Sequence, residues 1–257
     1  MNTYPTSHND HYKHYHELAK RGGQAHLAGD FSRALQFAEA AHRALTDRPF
    51  NLATAHNDLK GLSPEGQDLG AQNLRNIGAR FERQGKDQSA LEAMEAAAAL
   101  HQDLLDKDPS SSHCRREVAA DKFYLGAFAL KAAILKELAD NPTAAENGQR
   151  SVEHMHDSAA LFDAAAGSDG NRRHQYHING MGRFSMAEGL YGGRARGIRL
   201  GVRACWMALS SEPTLPPSER TKAVTKALAR GIGAVAVSAL SLVNARTSAL
   251  KLAKKLL

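Results

Sequence analysis

At 257 residues the chain can bury one sizeable core or a repeat array, which excludes a disulfide-stapled mini-protein. Hydrophobic residues at 42% and charged residues at 23% exclude global disorder, and two cysteines, Cys114 and Cys205, exclude a disulfide framework or a four-cysteine metal site. The net charge of +6 is uneven: residues 171–257 hold 15 Lys and Arg against 3 Asp and Glu, while residues 1–170 hold 18 against 24. A basic back of this kind suits an anionic membrane, nucleic acid or an acidic protein, or attraction to the acidic front.

Residues 1–9 read as a disordered polar start. The His-rich stretch to Glu17 shows no basic beginning followed by an apolar run, so no secretory signal is expected and the protein is read as cytoplasmic. A first helix carries Leu18 and Gly22, and Gly29-Asp30-Phe31 turns the chain into a second with Ala34, Leu35 and Ala41, ending near Asp47-Arg48-Pro49. A short helix around Leu52 to Leu59 follows, flanked by loop. The next pair has Leu74, Ile77, Gly78 and Phe81 in its first helix and a turn at Gly85. Its second helix places Ala90, Leu91, Met94, Ala97, Ala98, Leu104 and Leu105 at helical intervals before Asp108-Pro109.

Tyr124-Leu125-Gly126 opens a third unit whose second helix is predicted over Ser151 to Ala166, after a turn at Asn141-Pro142-Thr143. Gly167 to Asn171 is a second turn. Ile178-Asn179-Gly180 opens a fourth unit, with a second helix near Arg194 to Leu209 and a stop at Glu212-Pro213. The Gly-rich stretch Gly189 to Gly193 reads as the turn between its helices. No alternating strand pattern bounded by turns is found.

A proline-bearing linker, Ser210 to Ser218, separates these units from a final basic amphipathic segment. Its longest apolar run, Gly231 to Val243, has 13 residues and falls short of a bilayer span. Three readings are open for this segment: a cap on the end of the array, a helix lying on an anionic membrane, or a partner-binding helix. As a cap it is expected to bury Ile232, Val235, Leu240 and Val243 and to leave Lys222, Lys226 and Arg230 in water.

The four paired segments, with Gly22, Gly78, Gly126 and Gly180 spaced by 56, 48 and 54 residues, resemble tetratricopeptide repeats. The resemblance implies an all-α, right-handed solenoid of helix pairs over residues 10–213, capped by helices in 214–257. It further implies a non-enzymatic scaffold or adaptor that takes a protein or peptide partner in a concave groove. Setting the four glycines in register places His16, Arg75, Arg83, Phe123, Lys131, His177 and Phe184 on the groove lining. The Lys and Asn carboxylate clamp of some members is not reproduced.

Other chemistry has little support in the residues. Thirteen histidines include His11, His14 and His16, His154 with His156, and His174 with His177, yet no His-Glu-x-x-His or Cys-x-x-Cys spacing converges on a metal, and no metal or cofactor is expected. No nucleophile elbow or phosphate loop occurs, so no catalytic residue is assigned. An accessory or catalytic subunit with a site near His174 and His177 is the alternative from the enzyme class. Arg196, Arg199 and Arg203 share a helix face, but without interleaved aromatics or a binding motif nucleic acid is not the expected partner.

Overall fold

The computed structural model describes residues 6–166, 175–210, 217–243 and 245–257. Among the described residues there are eleven α-helices and no strand. They are α1 (Thr6–Leu27), α2 (Phe31–Thr46), α3 (Leu52–Lys60), α4 (Pro64–Arg83), α5 (Asp87–Lys107), α6 (Ser112–Glu137), α7 (Ala144–Ala166), α8 (Gln175–Tyr191), α9 (Arg194–Ser210), α10 (Pro217–Leu242) and α11 (Arg246–Leu256). The predicted turns at Gly167 to Asn171 and Glu212-Pro213 lie outside the described residues. The architecture is a tetratricopeptide-like set of helical hairpins, in two compact units, Met1–Ser110 and Ser111–Leu257.

In the first unit local chemistry sets the helix ends. Gly29 takes φ +81°, and Asp30 then caps α2 by accepting the Arg33 N–H at 3.0 Å. Ser63 caps α4 in the same way, with Pro64 in its first turn. Gly85, at φ +72°, reverses the chain from α4 to α5. Hairpins α1/α2 and α4/α5 then stack through α2 and α4, with α3 covering α5. Glycines let the partners approach: a methyl on Gly78 would lie 2.8 Å from Met94 Cγ and 3.0 Å from the Ala90 carbonyl oxygen. Leu59, Leu74, Ile77, Met94 and Leu100 are fully buried around this contact.

The second unit begins with α6/α7, joined across Asn141-Pro142-Thr143. Ser151 and Ser158, seven residues apart on α7, each donate a hydroxyl at 2.7 Å to α6 carbonyls, Gly126 and Ala119. Such contact needs close backbones, and Gly126 provides it, facing Met155. Helices α8 and α9 form the next hairpin, but Gly180 does not serve it as the repeat register expects. It faces Phe123 of α6, and the α8–α9 contact uses Gly189 against Gly197 instead. Gly189 and Tyr191 belong to α8 itself, so the turn is confined to Gly192-Gly193, which buried Glu188 holds by accepting the Gly193 N–H at 2.9 Å.

Helices α10 and α11 close this unit in a register different from the one expected. Ile232 and Val243 are 64% and 70% exposed, and Val235 and Leu240 are half-buried. The buried side is Ala227, Gly231, Ala234, Ser238 and Ser241, recurring every three or four residues, with Val237 beside Ser238. Small side chains face inward because α8 and α9 approach so closely: a methyl on Gly189 would lie 2.2 Å from Ser238 Oγ, and one on Gly201 2.6 Å from Val235 Cγ2. Lys226 is in water as expected, Arg230 is half-buried, and the Lys222 side chain lies outside the described set. Helix α11 buries Ala249, Leu250 and Ala253 with Leu130, Ile134, Met186 and Leu190. Arg246 anchors it, bidentate to Glu137 at 2.6 and 2.8 Å and donating to the Leu190 carbonyl.

Candidate protein-binding surface

Helices α1 and α4 run side by side and parallel. Tyr12 shares a hydrogen bond with Ser63 at 2.9 Å, the Tyr15 hydroxyl donates to the Leu69 carbonyl at 2.9 Å, and Gly22 lies beside the Arg80 guanidinium. Around the α1 wheel, His16 and Lys20 lie just past this contact on the solvent side. Around the α4 wheel, Gln72, Asn76 and Arg83 do the same. One polar strip therefore crosses both first helices, and two residues of the expected lining, His16 and Arg83, belong to it.

Beneath the strip sits an unusual concentration of buried polar side chains: Gln67, Asn73, Arg75, Arg80 and His101. Several have a structural task that the pattern of spacing conceals. Asn73 donates to the Ala38 carbonyl of α2 at 2.8 Å, and Gln67 donates to the Lys60 and Leu62 carbonyls at the end of α3. His101 approaches the Asp68 carboxylate at 3.3 Å. Burial pushes the Tyr15 phenol well above its ordinary range and lowers the Arg80 guanidinium.

Arg75 is thus a correction to the expected lining: it is 8% exposed and belongs to the interior. Phe123 and Phe184 are corrections of the same kind, packed in one core cluster with Met155, Met181 and Met207. An aromatic side chain on a first helix is driven into the core when the next hairpin offers apolar cover. Lys131 is half-buried on α6. His177 is in α8, and its side chain lies outside the described set, as do those of His11 and His174. Among the described residues no group of three or more His, Cys, Asp or Glu is placed to hold a metal ion.

A surface that the glycine register did not indicate lies on α9 and α10, where Val202, Trp206, Leu209 and Ile232 are 59% to 69% exposed. The spacing of Val202, Trp206 and Leu209, at i, i+4 and i+7, was readable as one helix face. What could not be read was whether that face pointed inward.

No protein-family model matches the chain, and no curated protein matches it. Among solved structures it is similar to TPR-like repeats described as a kinesin light chain of Podosopora anserina, with 14% identity, a TM-score of 0.48 and coverage of 94% of this chain and 93% of that one. A point variant of that same protein gives 14% identity, a TM-score of 0.49 and coverage of 94% and 92%. A de novo designed helical repeat protein gives 16% identity, a TM-score of 0.37 and coverage of 95% and 98%.

Proposed function

We propose that this chain is a non-enzymatic scaffold that binds a protein or peptide segment on the solvent faces of its first helices, in the first unit. The observation that supports this reading is the strip formed by His16, Lys20, Gln72, Asn76 and Arg83 across parallel α1 and α4. His16, Lys20, Asn76 and Arg83 are exposed, while half-buried Gln72 donates to Asp68 at 3.0 Å. The buried polar groups of α4 tie it to α2, α3 and α5, and the Tyr12 and Tyr15 hydroxyls tie α1 to α4. A pair of parallel helices presenting an amide and cations suits a segment with acidic side chains: Asn76 can meet its backbone, and Lys20 and Arg83 its carboxylates.

The test is affinity capture from the native host with the full chain and with a Lys20→Glu/Arg83→Glu form. Both positions are at the surface, so circular dichroism and the melting temperature should stay unchanged while captured proteins are lost. Capture that survives the double change would move the site off this strip.

A further inference from the structure

Eight large apolar side chains are exposed among the described residues, and six of them lie on α9, on α10 or at the end of α10: Val202, Trp206, Leu209, Ile232, Leu242 and Val243. The two helices run antiparallel, with Gly197 beside Ser238, Gly201 beside Val235, and Gly231 beside Cys205. On α9 the residues roughly 100° past this seam are Val202 and Leu209, and on α10 they are Leu228, Ile232 and Ala239. Helix α8 packs on the opposite side of the seam, where Ser185 and Gly189 meet Gly197 and Ser238. Because antiparallel helices have mirrored wheels, both strips open toward the same outer side and form one apolar face.

The charged side chains that α9 and α11 carry are all cations; the acids that meet α9 come from neighbouring helices, Asp163 pairing with Arg203 and Glu188 with Arg196. No Asp or Glu occurs from Arg194 to Ser210 or from Arg220 to Leu257. Arg194 and Arg199 on α9 are exposed, and so are Lys251, Lys254 and Lys255 on α11, which packs beside α10 through Leu256 against Gly233.

We infer that the α9–α10 face docks on an anionic bilayer surface, with both helices lying in the headgroup plane. Aliphatic side chains and a tryptophan between flanking cations are what an interfacial helix uses: the apolar groups enter the acyl boundary, the indole sits at headgroup level, and the cations meet lipid phosphate and carboxylate. A second copy of the chain would bring together two faces whose own helices, over Arg194 to Ser210 and from Arg220 onward, carry cations and no acids, against their repulsion. Helix α10 is long and apolar enough over Val224–Leu242 to cross a membrane. Its inner side, however, is committed: Ala227, Ala234, Val237 and Ser238 are buried. It can therefore lie on a bilayer without leaving its neighbours. This inference is independent of the protein-binding strip on α1 and α4.

The single tryptophan of the chain, Trp206, is on the docking face and reports contact directly. The full chain is floated with vesicles of phosphatidylcholine alone and of phosphatidylcholine with about 30% phosphatidylserine, with Trp emission recorded on each. The expected result is flotation with the phosphatidylserine vesicles only, a blue shift of Trp206 emission, and quenching by brominated acyl chains. Leu209→Asp/Ile232→Asp should lower the bound fraction at equal lipid by about tenfold or more with circular dichroism unchanged. If that form does not fold, quenching of wild-type Trp206 by brominated lipid decides alone. Absence of flotation would overturn the inference, as would flotation with unshifted Trp206 emission, which would mean attachment through another face. A concentration-dependent dimer abolished by Ile232→Asp would also overturn it, giving the face to a second copy, and so would saturable binding of an acidic peptide in place of vesicles.

Discussion

Two glycines in first helices show how one residue type carries opposite energetic roles. Gly78 faces Met94 and the Ala90 backbone, whereas a methyl added at Gly23 would meet nothing within 4 Å. Gly78→Ala should therefore lower stability by about 1–3 kcal/mol through overpacking, because a backbone oxygen cannot move aside as a side chain can. Gly23→Ala should raise it by about 0.5–1 kcal/mol through helix propensity alone. Chemical denaturation of the two variants checks both signs. His42 offers a second test. It is fully buried, its ring meets Phe50 edge-on at 5.3 Å, and neither nitrogen has a hydrogen-bond partner among the described residues. Burial holds its pKa below the ordinary value of 6.5, against the pull of Asp58. The unfolded chain therefore takes up the proton first as pH falls, and the folded state loses stability below the unfolded value. His26 and His154, also lowered by burial first, act in the same direction. The melting temperature should fall between about pH 7.5 and pH 5, and His42→Leu should make that fall shallower. An identical slope in the variant would show that His42 is not a source of it.

At the level of elements, α10 illustrates why an amphipathic pattern does not fix which face is buried. Its large residues Ile232 and Leu242, with Val243 just past its end, point outward, while Ala227, Gly231, Ala234, Ser238 and Ser241 point inward beside Val237. A hydrophobicity pattern favours the opposite assignment, since burying larger side chains stabilises more. Close approach reverses it around Ser238: with Gly189 and Gly197 facing it only a small side chain fits there, whereas Val235 fills the space over Gly201 and Val237 packs with Met186 and Leu190. Ser238→Leu should accordingly cost at least about 2–3 kcal/mol, through overpacking and loss of its bond to the Ser185 carbonyl. Ile232→Ala should change stability by less than about 0.5 kcal/mol. Thermal melts of the pair discriminate the registers, and a severe loss for Ile232→Ala would restore the inward reading of the large side chains.

At the level of the whole molecule, the C-terminal helices are part of the second unit's core. Met186, Ala187 and Leu190 of α8 share one buried cluster with Ala234, Val237, Leu250 and Ala253. Arg246 joins α11 to Glu137 on α6 and to the end of α8. Burial alone would raise the Glu137 carboxyl, but the two hydrogen bonds from Arg246 and its charge outweigh it and hold the pKa below the ordinary value. Removing residues 217–257 should leave the α8 surface apolar and open, so the truncated chain is expected to aggregate or to melt early. A soluble truncation with an unshifted melting curve would show that α10 and α11 are not needed for that core.

Turns and periodicity placed most of the helices, because capping and breaking act over a few residues; residues 6–9, read as a disordered start, and Gly189 to Tyr191, read as turn, are helical. Asp30, Ser63 and Gly85 sit at the ends of α2, α4 and the α4–α5 turn that their chemistry demands. The glycines at 78 and 126 likewise announced where helices of a hairpin touch. The choice among faces was decided by neighbours distant in the chain. Gly180 was free to serve α9 or α6, and Phe123 claimed it. Phe123, Phe184 and Arg75 had the spacing of a groove lining, yet adjacent helices enclosed them. His16 and Arg83 stayed at the surface because the contact between α1 and α4 lies one side of them, through Tyr15 and Arg80. Local sequence fixes a helix's length and its possible faces, while the distance between backbones determines which face can be filled and which is left to solvent.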